Sequence, residues 1–188
     1  MFWGRASRVF NKYSNLMSNQ DKSSNIKEKL QQALTSTIKV ISEDFRSNDN
    51  FEKNKDSKKT EPFELSNLNN RNDFIRARAN ADSSALKKKF SNDEIYKKNL
   101  PKNFSCKSLY SIAEKIRYEL LGAKMLKGID KNFKENYSQM INLKKKDQAK
   151  TKDDTLVTEA FELYMLKNFH NIKLNSLTSK MLNFWEQD

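Results

Sequence analysis

The chain is poor in the residues that make tight turns, covalent cross-links and metal cages. Three glycines and two prolines in 188 residues leave little material for hairpins, which need positive φ at their turns, so helices are the natural reading. One cysteine, Cys106, cannot close an internal disulfide, and with one histidine, His170, no zinc-type cluster can be assembled. No stretch approaches the roughly 18 apolar residues that a membrane span requires, so a soluble chain in the reducing cytoplasm is expected. A phosphate-cradling loop is also missing. Gly122 to Gly128 reads GAKMLKG, with its glycines at the wrong spacing and inside a helical pattern, whereas a P-loop needs a glycine-rich turn feeding Gly-Lys-Ser or Gly-Lys-Thr.

Charge is abundant. A third of the residues are charged and 36% are hydrophobic, which is enough for one helical domain with a real core in a chain of this length. The net charge of +12 raises the reading of a basic helical adaptor for nucleic acid or another anionic surface. The lysines, however, are scattered among asparagines and glutamates. The densest runs, at 87–89 and 144–146, are short and lack the interleaved aromatics of single-strand binders, so a solvated surface is the preferred account.

Hydrophobic periodicity divides the chain into an extension and a helical unit. Residues 1–22 carry Arg5, Arg8 and Lys12 with no acid before Asp21, and place Phe2, Val9, Phe10, Tyr13, Leu16 and Met17 near one side of a helix. They form either a targeting helix or an extension that docks on the domain. Ser23 or Ser24 caps a core helix carrying Leu30, Leu34, Ile38 and Ile41. The polar stretch 47–70 reads as a long connection that could hold a short strand pair. A helix starting at Asn72 or Asp73 runs through Ile75, Ala79, Ala85 and Leu86, a short helix follows at 92–98, and Pro101 stops it. Ser105 then caps a long helix to about Leu126, whose apolar stripe is Leu109, Ile112, Ala113, Ile116, Leu120 and Ala123. Gly128 is expected to end that helix, while Gly122 marks a close contact. Further helices carry Ile129, Phe133, Tyr137 and Ile141, then Val157, Ala160, Phe161 and Tyr164, and finally Leu177, Met181, Phe184 and Trp185. The predicted architecture is mainly α: five to six helices in an irregular bundle.

The segment from Glu114 to Phe133, EKIRYELLGAKMLKGIDKNF, carries a pattern: Glu, two residues, Arg, one, Glu, two, Gly-Ala, then Gly and Asn at fixed offsets. Glu114, Arg117, Glu119, Gly122, Ala123, Gly128 and Asn132 occupy it. In this the chain resembles the N-terminal region of the CobT subunit of the aerobic, ATP-dependent cobaltochelatase. Upstream, Arg78, Ala81, Asp82, Ala85 and Leu86 extend the likeness, with Ala79 standing where that family has glycine, and Leu100-Pro101 follow it. Downstream, Lys180-Met181, Leu182, Phe184 and Trp185 are similar to the family's closing helix. The likeness covers residues 25 to 185, so residues 23–188 read as a CobT N-terminal-like domain. The acidic linker and von Willebrand A domain that the resemblance would place beyond it are absent from the sequence.

The resemblance implies a subunit of a complex that inserts cobalt into hydrogenobyrinic acid a,c-diamide in cobalamin biosynthesis. ATP, Mg and cobalt would be used by the complex and none bound by this chain. Its partners would be an AAA+ ATPase subunit and a large catalytic subunit in an oligomeric assembly. This chain would belong to a nitrogen–metal ligase without itself being catalytic. By the same resemblance Arg78, Asp82, Glu114, Arg117, Glu119, Gly122 and Asn132 are the residues of a partner-binding or structural network. The i,i+3 spacing of Glu114 and Arg117 suits a bidentate ion pair. Structure is the favoured role for that set, and contact with a partner or with the carboxylates of a tetrapyrrole is the other. Glu114 and Glu119 are not one turn apart and make no chelating pair. His170 is expected in a surface turn or bonded to a nearby carbonyl.

Overall fold

The computed structural model describes residues 25–43, 70–144, 151–153 and 155–186. Among them lie seven helices and no strand: α1 (residues 25–42), α2 (Arg71–Phe90), α3 (Asp93–Lys98), α4 (Phe104–Met125), α5 (Lys127–Leu143), α6 (Val157–Phe169) and α7 (Ser176–Asn183). The mainly α prediction holds. The N-terminal extension, the 47–69 part of the long connection and residues 145–150, in which most of the second lysine run falls, lie outside the described residues.

Polar caps set the helix starts. Asn70 and Asp73 form a reciprocal capping box on α2, Asn92 caps α3 and Asn175 pairs with Thr178 in a second box on α7, each satisfying amide donors that a first turn leaves free. Two expected starts move as a result. Asn70, not Asn72 or Asp73, opens α2, and Asn103, not Ser105, opens α4 by accepting from the Ser105 and Cys106 amides. The Asn103 side-chain carbonyl accepts from both amides at once, as an N-cap residue does.

α4 is the central element. It packs against α2, α5 and α6, and being covered on several sides it buries Ile116, Tyr118, Glu119 and Gly122. The predicted stripe is displaced accordingly: Leu109, Ile112, Ala113, Leu120 and Ala123 are only half-buried. A simple amphipathic wheel assumes one buried side and misplaces the face of a helix with three neighbours.

α2 lies close against α4. Ala77, Ala81 and Ala85 repeat every four residues on its buried face, and a Cβ placed on Gly122 would lie 2.3 Å from both Leu86 methyl carbons. Gly122 therefore is a contact, as its cost in a helix suggests. Gly128 is not a terminator. α4 ends at Met125, and Leu126, extended at φ −135 and ψ 112, is the whole connection to α5. Its amide donates to the Gly122 carbonyl at 2.9 Å, and its carbonyl receives the Ile129 amide at 3.0 Å. Gly128 sits in the first turn of α5, and a Cβ added to it would meet nothing within 4 Å.

α5 carries Ile129, Phe133, Tyr137 and Ile141 at steps of four, all buried. α6 buries Ala160, Leu163 and Leu166, so the expected Val157, Phe161 and Tyr164 lie on its outer or intermediate surface. The chain reverses after α6 at Asn171, whose φ of 55 an asparagine tolerates. α7 is then tied back twice: Asn175 Nδ2 donates to the Ile141 carbonyl at 2.9 Å, and Trp185 Nε1 donates to the Thr155 carbonyl at 3.1 Å.

The two helical glycines are expected to respond oppositely to a methyl group. Gly122→Ala should destabilise by about 1–3 kcal/mol through overpacking, and Leu86→Ala in the same chain should recover part of that loss. Gly128→Ala should stabilise by about 0.5 kcal/mol by restricting the unfolded chain. Urea denaturation of the four proteins measures these values, and equal signs at the two glycines would refute the assignment of Gly122 as the contact.

Candidate functional site

The residues singled out by sequence gather on α2, α4 and α5, where they form three separate polar clusters. The first fastens the end of α2. Arg117 donates from Nε to Glu114 Oε2 at 2.7 Å and from Nη2 to Glu114 Oε1 at 2.8 Å. The same Nη2 donates to the Phe90 carbonyl at 2.7 Å, one of the carbonyls that the last turn of α2 leaves without an intrahelical partner. Ser91 Oγ, at the C-cap of α2, donates to Glu114 Oε1 at 2.7 Å. A cation at a helix C-terminus also meets the negative end of the macrodipole. The Arg117 bonds hold the Glu114 carboxyl below its usual range, and Glu114 in turn raises the guanidinium. Arg117 remains half exposed, so the pair acts as a clamp at the edge of the domain.

The second cluster is buried. Glu119, 1% exposed, accepts from Ser83 Oγ of α2 at 2.6 Å and from Tyr137 Oη of α5 at 2.5 Å. Each carboxylate oxygen thereby has one hydroxyl donor, from a different helix. Burial raises the Glu119 carboxyl above its ordinary value, opposed by the charge of Lys115 and by the two hydroxyl bonds. Burial likewise raises Tyr137, with the Glu119 charge acting in the same direction. Lys115 lies 5.4 Å above the Tyr137 ring and 3.8 Å from Glu162 of α6, which extends the cluster toward α6.

The third cluster joins α2 to the start of α5. Asp82, 3% exposed, accepts from Asn132 Nδ2 at 2.6 Å. Its carboxyl is raised by burial, against the Asn132 bond and the nearby Arg78 charge. Arg78 itself is exposed.

Glu114, Arg117 and Glu119 are thus not one network. The first two clamp the α2 terminus and the third is locked in the core, because positions 114 and 117 share a face that 119 leaves. Ser83 and Tyr137 escape sequence reasoning. Serine is ambiguous in a helix, and Tyr137 is indistinguishable from an ordinary core aromatic when read by periodicity. Phe90, which contributes a backbone carbonyl, carries no side-chain signal. His170 departs furthest from expectation: it is 2% exposed, and neither ring nitrogen has a hydrogen-bond partner. The loop after α6 folds inward, since Ile172 is buried and donates its amide to the Leu166 carbonyl.

Among the described residues no group of three or more His, Cys, Asp or Glu is placed to hold a metal ion, and no helix is long and apolar enough to cross a membrane. An open groove of about 360 Å³ runs between α6 and α7, lined by Val157, Ala160, Phe161, Tyr164, Leu182 and Trp185. None of the seven predicted residues borders it. Of the lysine runs, Lys87 and Lys88 are exposed, whereas Lys89 pairs with Glu43 of the α1 terminus and Lys144 with Glu159 of α6.

Two substitutions test these assignments. Arg117→Ala should cost about 1–2 kcal/mol from the lost bonds to Glu114 and the Phe90 carbonyl, read by urea denaturation, with Arg117→Lys recovering little because it cannot keep the bidentate fork. Glu119 has a folded-state pKa above its unfolded value of 4.5, so its contribution is complete below that value and is lost as pH rises through the folded pKa. Glu119→Gln should therefore lose less stability than the wild type between about pH 5 and 8, and equal slopes would show that Glu119 ionises freely in the core.

A family model described as "CobT: Cobalamin biosynthesis protein CobT" matches residues 24–188. No curated protein and no solved structure matches the chain. The matched span contains all three clusters and every described helix. With most of its length aligned to that one family, the chain belongs to the CobT family of cobalamin biosynthesis proteins.

Proposed function

We propose that the chain is a CobT-type subunit of the aerobic cobaltochelatase, working in the cytoplasm within an oligomeric complex that inserts cobalt into hydrogenobyrinic acid a,c-diamide at the expense of ATP. In this reading cobalt and the corrin are substrates of the complex. An AAA+ ATPase subunit hydrolyses the nucleotide with Mg, a large subunit performs the insertion, and this chain organises the contact between them. The observation that carries the reading is the use made of the family-like polar residues. Beyond the Glu114–Arg117 pair within α4, Glu114, Arg117, Glu119, Asp82 and Asn132 each hydrogen-bond a different segment of the same domain, which supports a role in holding a rigid shape for partners. The sequence carries no P-loop pattern, which favours nucleotide chemistry on another subunit.

A rigid domain presents a partner with whatever its framework leaves outside. Arg78 is the family-like residue that meets this description, exposed on α2 beside the buried Asp82. Charged groups at the edge of an interface change association more than folding.

Co-purification and reconstitution test the reading. The full chain should co-elute with the AAA+ and large subunits, and cobalt insertion into the diamide should require all three. Arg78→Glu should lower capture by about tenfold, the size of a 1.4 kcal/mol change, while leaving the far-UV circular dichroism unchanged. Full insertion activity from the other two subunits without this chain would refute the proposal. Steeply salt-dependent binding to generic DNA, with no capture of either subunit, would instead support the basic adaptor.

A further inference from the structure

His170 is the chain's only histidine, and the structure encloses it without a polar partner. It is the C-cap residue of α6. Its ring stands edge-on to Phe133 at 6.1 Å between centroids and tilted against Tyr137 at 5.8 Å, both from the buried stripe of α5. Neither Nδ1 nor Nε2 has a hydrogen-bond partner. A neutral imidazole fits an aromatic pocket of this kind at the cost of an unsatisfied donor, whereas an imidazolium there has two unsatisfied donors and a buried charge.

The charged surroundings do not rescue the cation. From α5 it faces Asp130 and Lys134, which pair with each other at 2.8 Å. From α4 it faces Lys115, and beyond the Tyr137 ring lies Glu119, whose oxygens are already occupied by Ser83 and Tyr137. The two lysines disfavour the imidazolium and Asp130 alone favours it.

We propose that His170 is an acid-sensitive latch: its neutral ring holds the C-terminal end of α6, and the reversal into α7, against α5, and protonation releases them. The latch depends on the packing around His170 and stands whether or not the chelatase assignment is correct. Burial, the largest influence, lowers the imidazole below its ordinary 6.5. The unfolded chain therefore takes up a proton at a higher pH than the folded chain, and stability falls as pH drops below about 6.5. The two buried carboxyls act in the opposite sense. Glu119 and Asp82 are both raised, so acidification strengthens their contribution and cannot imitate the latch.

The full chain is tested by urea denaturation at several values between about pH 7.5 and 5.5, the range in which an unperturbed histidine titrates. Each pH unit below 6.5 should raise the wild-type unfolding constant up to ~10-fold, the limit for one linked proton, against the rise contributed by the carboxyls. His170→Phe keeps an aromatic ring in the pocket and cannot be charged, so its stability should hold or increase over the same range. His170→Gln serves as a second uncharged variant should the phenyl ring fail to pack. The imidazole proton resonances of the folded wild type, free of overlap because there is one histidine, should titrate below 6.5. The ring resonances of Tyr137, against which His170 packs, should change in the same step. A folded-state imidazole titrating at or above 6.5, or an acid loss of stability identical in wild type and the uncharged variants, would overturn the proposal.

Discussion

A carboxyl group with almost no contact with water has to be met by hydrogen-bond donors from its neighbours, and Glu119 is that group. Its two oxygens are met by Ser83 from α2 and Tyr137 from α5. The middle of α4 can be buried only if both neighbouring helices stand in register with it. An apolar residue at this position would pack in many registers. An acid with two fixed hydroxyl partners accepts one, and removing either hydroxyl leaves a buried charge with too few partners. The rest of the packing follows from this. α2 approaches α4 closely enough that Gly122 takes the place of a side chain opposite Leu86. The Asp82–Asn132 bond then joins α2 to α5 on the third side of the triangle.

The exposed clamp of Glu114 and Arg117 does a different task with similar chemistry. It terminates α2 by bonding a carbonyl that would otherwise face solvent, and it fixes the turn into α3 through Ser91. One sequence signature therefore encodes two structural devices on successive turns of α4, one at the rim and one in the core. A domain whose charged residues are committed in this way keeps a fixed surface around its framework.

Much of the fold is legible in the sequence because the helices are long and strongly periodic. The four-residue steps of α5 and the glycine cost at position 122 point directly to burial and contact. Other features are illegible for definite reasons. Gly128 reads as a terminator because glycine commonly follows a helix, yet Leu126 makes the break with an extended backbone that leucine adopts freely. The buried face of α4 cannot be drawn on a wheel, since three neighbours leave it no free side. The partners of Glu119 come from 36 residues before and 18 residues after it, and no local pattern specifies such pairings. His170 is misplaced by sequence for a similar reason: a histidine after the last turn of a helix looks exposed until the chain reverses at Asn171 and carries it inward.

The one-residue joint at Leu126 also bears on the order in which the domain can assemble. The Glu119–Tyr137 bond closes a loop of 18 residues, Ser83–Glu119 one of 36 and Asp82–Asn132 one of 50. Chain-closure entropy grows with loop length, and contacts close in sequence form fastest. Of these three closures the Glu119–Tyr137 bond costs the least chain entropy, so α2 is expected to complete a site whose acid already has its first partner.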